Sequence, residues 1–262
     1  MPGKLDEIVE LKPHSSSSQS YVIEDPMTNL KEALLDDANA FYARNGASLE
    51  RPDDPILKIL SRVHRASPLS NVLEVGCSNG WRLDAIRATY NAQCTGIDAS
   101  SDAVAVGGDR FPELRLWQGL APECLEKLLD EPQFDCIILG FFTYLLPRSE
   151  IFHLASLTDR LLAEEGHLIV FDFLYPTSIR TNYSHSELLT TFKSDPSAPW
   201  TWSPTYTLVE RSVYQDDLPE SFLKDPKSWG TVDVLKKNAI TDAYPELGSV
   251  KFPATMAHHP HQ

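Results

Sequence analysis

The chain has 262 residues, 42% of them hydrophobic, a length and composition that suit one large domain with a full core. Its 37 acidic residues outnumber 23 Lys and Arg, for a formal net charge of −14. That balance argues against a protein whose main task is gripping nucleic acid, which needs cationic surface to displace counterions from phosphates.

Residues 1–25 are polar, with a Ser15–Ser18 run, and read as a mobile arm. They contain acids and no apolar core of a signal peptide, so a cytoplasmic protein is expected. A helical cap is expected over 26–66. Its first helix carries Leu30, Leu34, Ala38 and Phe41 at intervals of three or four, with Asn29 and Glu32 as a capping box and Gly46 as its end. Its second helix runs from Pro55 to His64.

From residue 67 to about 242 a single α/β domain is expected. Strands are predicted over Asn71–Cys77, Cys94–Asp98, Leu114–Gln118, Phe134–Gly140 and His167–Phe173, separated by helices over Trp81–Tyr90, Ser101–Asp109, Pro122–Leu129 and Ser149–Glu164. The fourth strand is apolar almost throughout, as when both faces of a parallel sheet are covered. Five such repeats imply a Rossmann-like, mostly parallel sheet with helices on both faces. Residues 175–204 break the rhythm as an irregular insertion after the fifth strand. Tyr206–Tyr214 and Thr231–Leu235 then close the sheet as an antiparallel pair, making seven strands. Residues 243–262, with His258, His259 and His261, read as a tail. The longest apolar runs, Cys136–Phe142 and His167–Phe173, are strand-length and short of the ~20 residues that span a bilayer, so no membrane partner is expected. Cys77, Cys94, Cys124 and Cys136 lack CxxC spacing and read as buried thiols rather than a metal site.

Chemistry concentrates in VLEVGCSNGWRL, Val72–Leu83. A strand enters glycines and then a helix, which offers backbone N–H groups and close approach to a ligand. Gly76 and Gly80 are expected where a side chain would strike that ligand or strain the turn. Asp98 ends the next strand, where a carboxylate can accept both ribose hydroxyls of a nucleoside. The G-x-G-x-x-G of nicotinamide dehydrogenases and the Walker P-loop are both absent.

In these segments the chain resembles the class I S-adenosylmethionine-dependent methyltransferases. E-V-G-C-S-N-G (Glu74–Gly80) is similar to their first motif, GIDAS to the second, FDCIILGFFTYLLPR to the fourth, and LLAEEGHLIVFDF to the strand after it. FYARNG, GCSNGWRL, GFFTYL, NYSH and the W-x-P-x-Y of Trp202–Tyr206 are further similar to a group of bacterial methyltransferases associated with carbohydrate or secondary-metabolite pathways.

The resemblance implies S-adenosylmethionine as cofactor and S-adenosylhomocysteine as product. It places Glu74 at the methionine end, with Gly76, Cys77, Ser78, Gly80, Trp81, Asp98, Leu120 and Phe141 around the rest. Two positions depart from the family: Ser78 stands where a glycine is usual, and Gln118-Gly119-Leu120 lacks the acid that often meets the adenine amine. On the acceptor side, Asp172 and His185 are the candidate bases, and Tyr42, Tyr144, Tyr183, Lys193, Trp202 and Tyr206 the candidate pocket walls. The expected reaction is methylation of a hydroxyl or amine on a small molecule, a sugar or secondary-metabolite intermediate. The alternatives are a protein or RNA acceptor, or a non-catalytic regulatory protein that binds the cofactor.

Overall fold

The computed structural model describes residues 26–51, 53–214 and 229–246. The arm expected over 1–25 and the histidines expected in a tail lie outside them. Helix α1 (Pro26–Leu49) is followed by α2 (Pro55–Ala66), β1 (Asn71–Val75), α3 (Trp81–Tyr90), β2 (Gln93–Asp98), α4 (Ser101–Arg110) and β3 (Arg115–Gln118). After a 3-10 turn over Glu123–Leu128 come β4 (Phe134–Gly140), α5 (Arg148–Leu161), β5 (Leu162–Phe173), β6 (Ile179–Asn182) and β7 (Thr190–Lys193). The short α6 (Ala198–Thr201), β8 (Tyr206–Tyr214), β9 (Gly230–Lys237) and α7 (Ile240–Ala243) complete the order.

Seven strands form one sheet in the order β3-β2-β1-β4-β5-β9-β8. The first five are parallel; β9 runs antiparallel to β5, and β8 antiparallel to β9. Two-residue periodicity splits the apolar strands between two cores. Leu73, Ile137 and Leu139 pack with α5 on one face, while Val72, Cys136 and Ile138 pack with α2 and α3 on the other. Full burial of each such Leu or Ile contributes about 1.5–3 kcal/mol, so both faces must be covered. The order reverses between β1 and β4, and ligands of open α/β sheets bind at the carboxyl end of such a switch point.

Three expectations change. Helix α1 starts before Asn29 and runs three residues past Gly46, whose open flank is filled by the Tyr42 ring. Helix α5 stops at Leu161 because Leu162 already pairs with Phe134 as strand, with a register shift before Cys136. Lys237 Nζ caps that helix end through the carbonyls of Asp159 and Leu162, at 2.5 and 2.9 Å. The irregular insertion contains a β6–β7 hairpin, which forms a separate two-stranded sheet.

Candidate active site

A cavity of about 360 Å³ opens at the carboxyl ends of β1 to β4. Helix α1 roofs it with one stripe, Leu34, Asp37, Ala38, Phe41 and Tyr42, at helical spacing. Asn39 ties the roof to the start of α4, accepting from Ser100 Oγ at 2.8 Å, and Lys31 pairs with Glu123 at 2.6 Å.

The floor is the loop after β1. Gly76 and Gly80 both have left-handed φ, +76° and +77°. The collision a side chain would meet differs from the one expected. A Cβ on Gly76 would stand 2.6 Å from the carbonyl oxygen of Gly140 on β4, and one on Gly80 3.0 Å from Leu114 and Leu116. These glycines answer to the neighbouring strands before they answer to any ligand.

Ser78 takes φ +53° without being glycine, and Phe141, at the end of β4, takes +62°. Strain of this kind, about 1–3 kcal/mol per residue, collects at ligand sites. Asp98 holds the Ser78 loop: one carboxylate oxygen accepts from Ser78 N at 2.6 Å and the other from Ser100 N at 2.8 Å. Burial raises its pKa, against those two bonds.

Glu74 lies fully buried behind the loop, paired with Arg82, while its Oε2 has no partner among the described residues. Arg82 is also gripped by Asp54 through Nε at 3.2 Å and a terminal nitrogen at 3.0 Å. Asp54 at the same time caps α2 through the N–H groups of Ile56 and Leu57. Burial pushes Glu74 up to about 7; Arg82 opposes the shift and Asp54 adds to it. Of these three, Arg82 and Asp54 border the cavity, so Glu74 acts on it through the arginine.

An aromatic group closes the far wall. Phe141 packs 4.7 Å from Phe173 and 5.6 Å edge-on to Tyr144. Asp172 supports this turn from below, accepting from Thr143 Oγ1 and from the backbone N–H of Tyr144 and Phe173. With its oxygens so engaged, Asp172 anchors the turn; burial pushes it up to about 6. Tyr144 packs near Tyr183 of the hairpin, ring centroids 6.3 Å apart, and Asp37 of the roof lies close enough to Tyr183 to add to the rise that burial gives its pKa. Burial raises both phenols, so they stay protonated, and Arg44 pairs with Asp37 at 3.6 Å. The tip of the insertion thus meets α1 beside the cavity mouth.

Among the expected residues, Gly76, Cys77, Ser78, Trp81, Asp98, Leu120, Phe141, Tyr42 and Tyr144 border this cavity. Gly80 sits one step behind it, against Leu114 and Leu116, and Lys193 lines a neighbouring cavity. His185 is exposed at the β6–β7 turn, edge-on to Tyr183 at 5.3 Å, and borders neither cavity. Two acceptor-side expectations are corrected. Trp202 is 81% exposed beyond both cavities, and Tyr206 is buried in the core, its hydroxyl held by Asp159 of α5 at 3.0 Å. Asp37, Asp54 and Arg82 were not anticipated. Asp37 falls on the same helical stripe as Leu34 and Phe41, and Asp54-Pro55 is an N-cap followed by Pro at N1; both signals were present. All four cysteines are free and buried, and no helix among the described residues is long and apolar enough to cross a membrane.

The residues present fit a nucleoside bearing an amino-acid tail. Asp98 keeps an unused lone pair on each oxygen beyond its two N–H bonds, and the Ser78 hydroxyl is buried without a partner among the described residues. Residues 72–166 match the model of a methyltransferase-domain family. Over that stretch, from β1 into β5, the chain is similar to a methyltransferase domain.

Solved structures share the fold at low identity. The N-methyltransferase NodS from Bradyrhizobium japonicum WM9, in complex with S-adenosyl-l-homocysteine, is 17% identical with a TM-score of 0.53, over 82% of this chain and 100% of that one. CalS10, an amino pentose methyltransferase from Micromonospora echinaspora involved in calicheamicin biosynthesis, is 14% identical with a TM-score of 0.54, over 76% and 97%. A methyltransferase in complex with the Haloferax volcanii Trm112 methyltransferase activator is 16% identical with a TM-score of 0.57, over 79% and 98%. No curated protein matches the chain.

Proposed function

We propose that this enzyme methylates a hydroxyl or amine on a small molecule that enters between α1 and the β6–β7 hairpin. The observation that carries this reading is the roofed cavity. A helix lies over the carboxyl ends of the strands, with Tyr144 of the floor and Tyr183 of the hairpin packed near each other at its edge. A site enclosed in this way suits a compact acceptor better than a folded protein or an RNA duplex. The deficit of basic residues weighs further against RNA. The N-methyltransferase and the amino pentose methyltransferase that share the fold are compatible with such an acceptor.

S-adenosylmethionine, when bound, supplies a methyl group already activated on a sulfonium. The protein's part is therefore alignment, exclusion of water and proton removal. In this reading Asp98 takes the ribose hydroxyls, Leu120 borders the adenine, and Arg82, set by Glu74 and Asp54, faces the amino-acid carboxylate. Phe141 and Tyr144 keep water from the methyl. The acceptor's proton passes to Asp37, which borders the cavity. His185 stands at the solvent end of Tyr183, outside this path. Incubating the purified protein with methyl-labelled cofactor and fractionated cell extract tests the reading. Label should enter a small-molecule fraction. Label confined to protein or RNA would refute the acceptor class, and no transfer despite cofactor binding would leave a regulatory binder.

A further inference from the structure

A second cavity, of about 570 Å³, lies on the other side of Tyr144, between the carboxyl end of β5, the start of α5 and the hairpin. Tyr144 and Leu146 border both cavities, so a molecule seated in the second can reach the wall of the first. Its volume is within the usual range for small-molecule sites, about 300–1,000 Å³.

The charges around it are unevenly matched. Asp172 is spent on three donors from Thr143, Tyr144 and Phe173. Asp195 is held by Arg211 at 2.6 Å and by Ser197. Lys193 of β7 projects its Nζ to 3.7 Å above the Phe173 ring and 5.7 Å from Tyr175, and it forms no ion pair with any described residue. Partial burial lowers its pKa, with Asp172 opposing the shift. Arg180, exposed on the same hairpin, also borders the cavity without an ion pair among the described residues. In a chain with 37 acids and 23 Lys and Arg, a half-buried lysine left without a carboxylate is a cation awaiting an anion. Phe173, Phe192 and Ile179 line the cavity beside it with apolar surface.

We infer that this second cavity receives an anionic group of the methyl acceptor, a carboxylate or a phosphate, with Lys193 as its counter-charge and the aromatic wall against its apolar body. The inference rests on the methyl-transfer reading and narrows it: the acceptor is an acid whose nucleophile reaches past Tyr144. Calorimetry on the full chain saturated with S-adenosylhomocysteine tests it, with benzoate, phenyl phosphate and the neutral isostere benzamide as probes. One of the two anions should bind at least about tenfold more tightly than benzamide, and which one does so distinguishes carboxylate from phosphate. Lys193→Gln should abolish that preference, Lys193→Arg should keep it, and cofactor affinity should be unchanged in both. Benzamide binding as well as both anions to the unmutated protein would overturn the inference without any variant. An anion preference that survives in Lys193→Gln would also overturn it. A chain that binds no S-adenosylhomocysteine would instead overturn the methyl-transfer reading beneath it.

Discussion

Replacing Asp98 with Ala should weaken two things at once, and their sizes can be worked from its hydrogen bonds. The carboxylate accepts from Ser78 N at 2.6 Å and Ser100 N at 2.8 Å, and Ser78 is held at φ +53°. A hydrogen bond to a charged group is worth roughly 1.5–3 kcal/mol, and a buried donor left bare costs about 1–3 kcal/mol. Water can reach the Ser78 side of the cavity, so the lower half of that range applies, about 2–4 kcal/mol for the pair. In a domain of this size each kcal/mol moves the melting temperature by roughly 2–4 °C, so Asp98→Ala should melt about 4–16 °C lower. Loss of the ribose contacts should add at least about a tenfold drop in affinity for S-adenosylhomocysteine, since 1.4 kcal/mol is tenfold. Asp98→Asn retains one acceptor and should fall between. Calorimetry at 10 °C, where the variant stays folded, separates affinity from stability. A folded Ala variant whose affinity is unchanged within twofold would show that the ribose lies elsewhere.

The loop glycine behaves differently. Gly76→Val must push a branched side chain against the Gly140 carbonyl at left-handed φ, so it should unfold or melt far below the wild type rather than lose the cofactor selectively; a native melting temperature by calorimetric scan would contradict this. On the proton path, Asp37→Asn should lower kcat by about tenfold or more with cofactor affinity held, whereas His185→Ala should stay within about threefold. A loss of 10² or more in the His185 variant, measured with the acceptor found by labelling, would return the base role to that histidine. Stability should also depend on Glu74. Its folded pKa, about 7, lies above the unfolded value near 4.5, so the folded state binds the extra proton. The stability this provides is complete below about pH 4.5 and fades as pH rises to about 7. Urea unfolding across that window should show Glu74→Gln with a flatter profile than wild type, and parallel profiles would refute the assignment.

Much of the fold was legible in the residues because it follows from local periodicity. Helix α3 and strands β4 and β8 have the limits read from the chain, and the five βα repeats led to the parallel sheet. The cofactor side was legible for the same reason: a strand, a glycine turn and a helix within a dozen residues carry their own geometry, and Asp98 ends the next strand. The acceptor side was less so. Trp202 and Tyr206 look like pocket aromatics by composition, yet β8 pairs at the far edge of the sheet and its first residue turns its ring into the α5 core.

Sequence alone therefore determined the class of fold, the order of its elements and the loop that meets the cofactor, because these rest on contacts a few residues apart or on one strand meeting the next. The tertiary structure decided which charges are paired. Asp54 reaches Arg82 across 28 positions, Asp37 pairs with Arg44, and Asp172 is spent on its own turn, while Lys193 faces a cavity with no ion pair to any described residue. Whether a charged side chain is neutralised by a neighbour or stands open to a ligand depends on distances of a few ångströms between segments far apart in the chain, because Coulomb attraction and desolvation both act at that range.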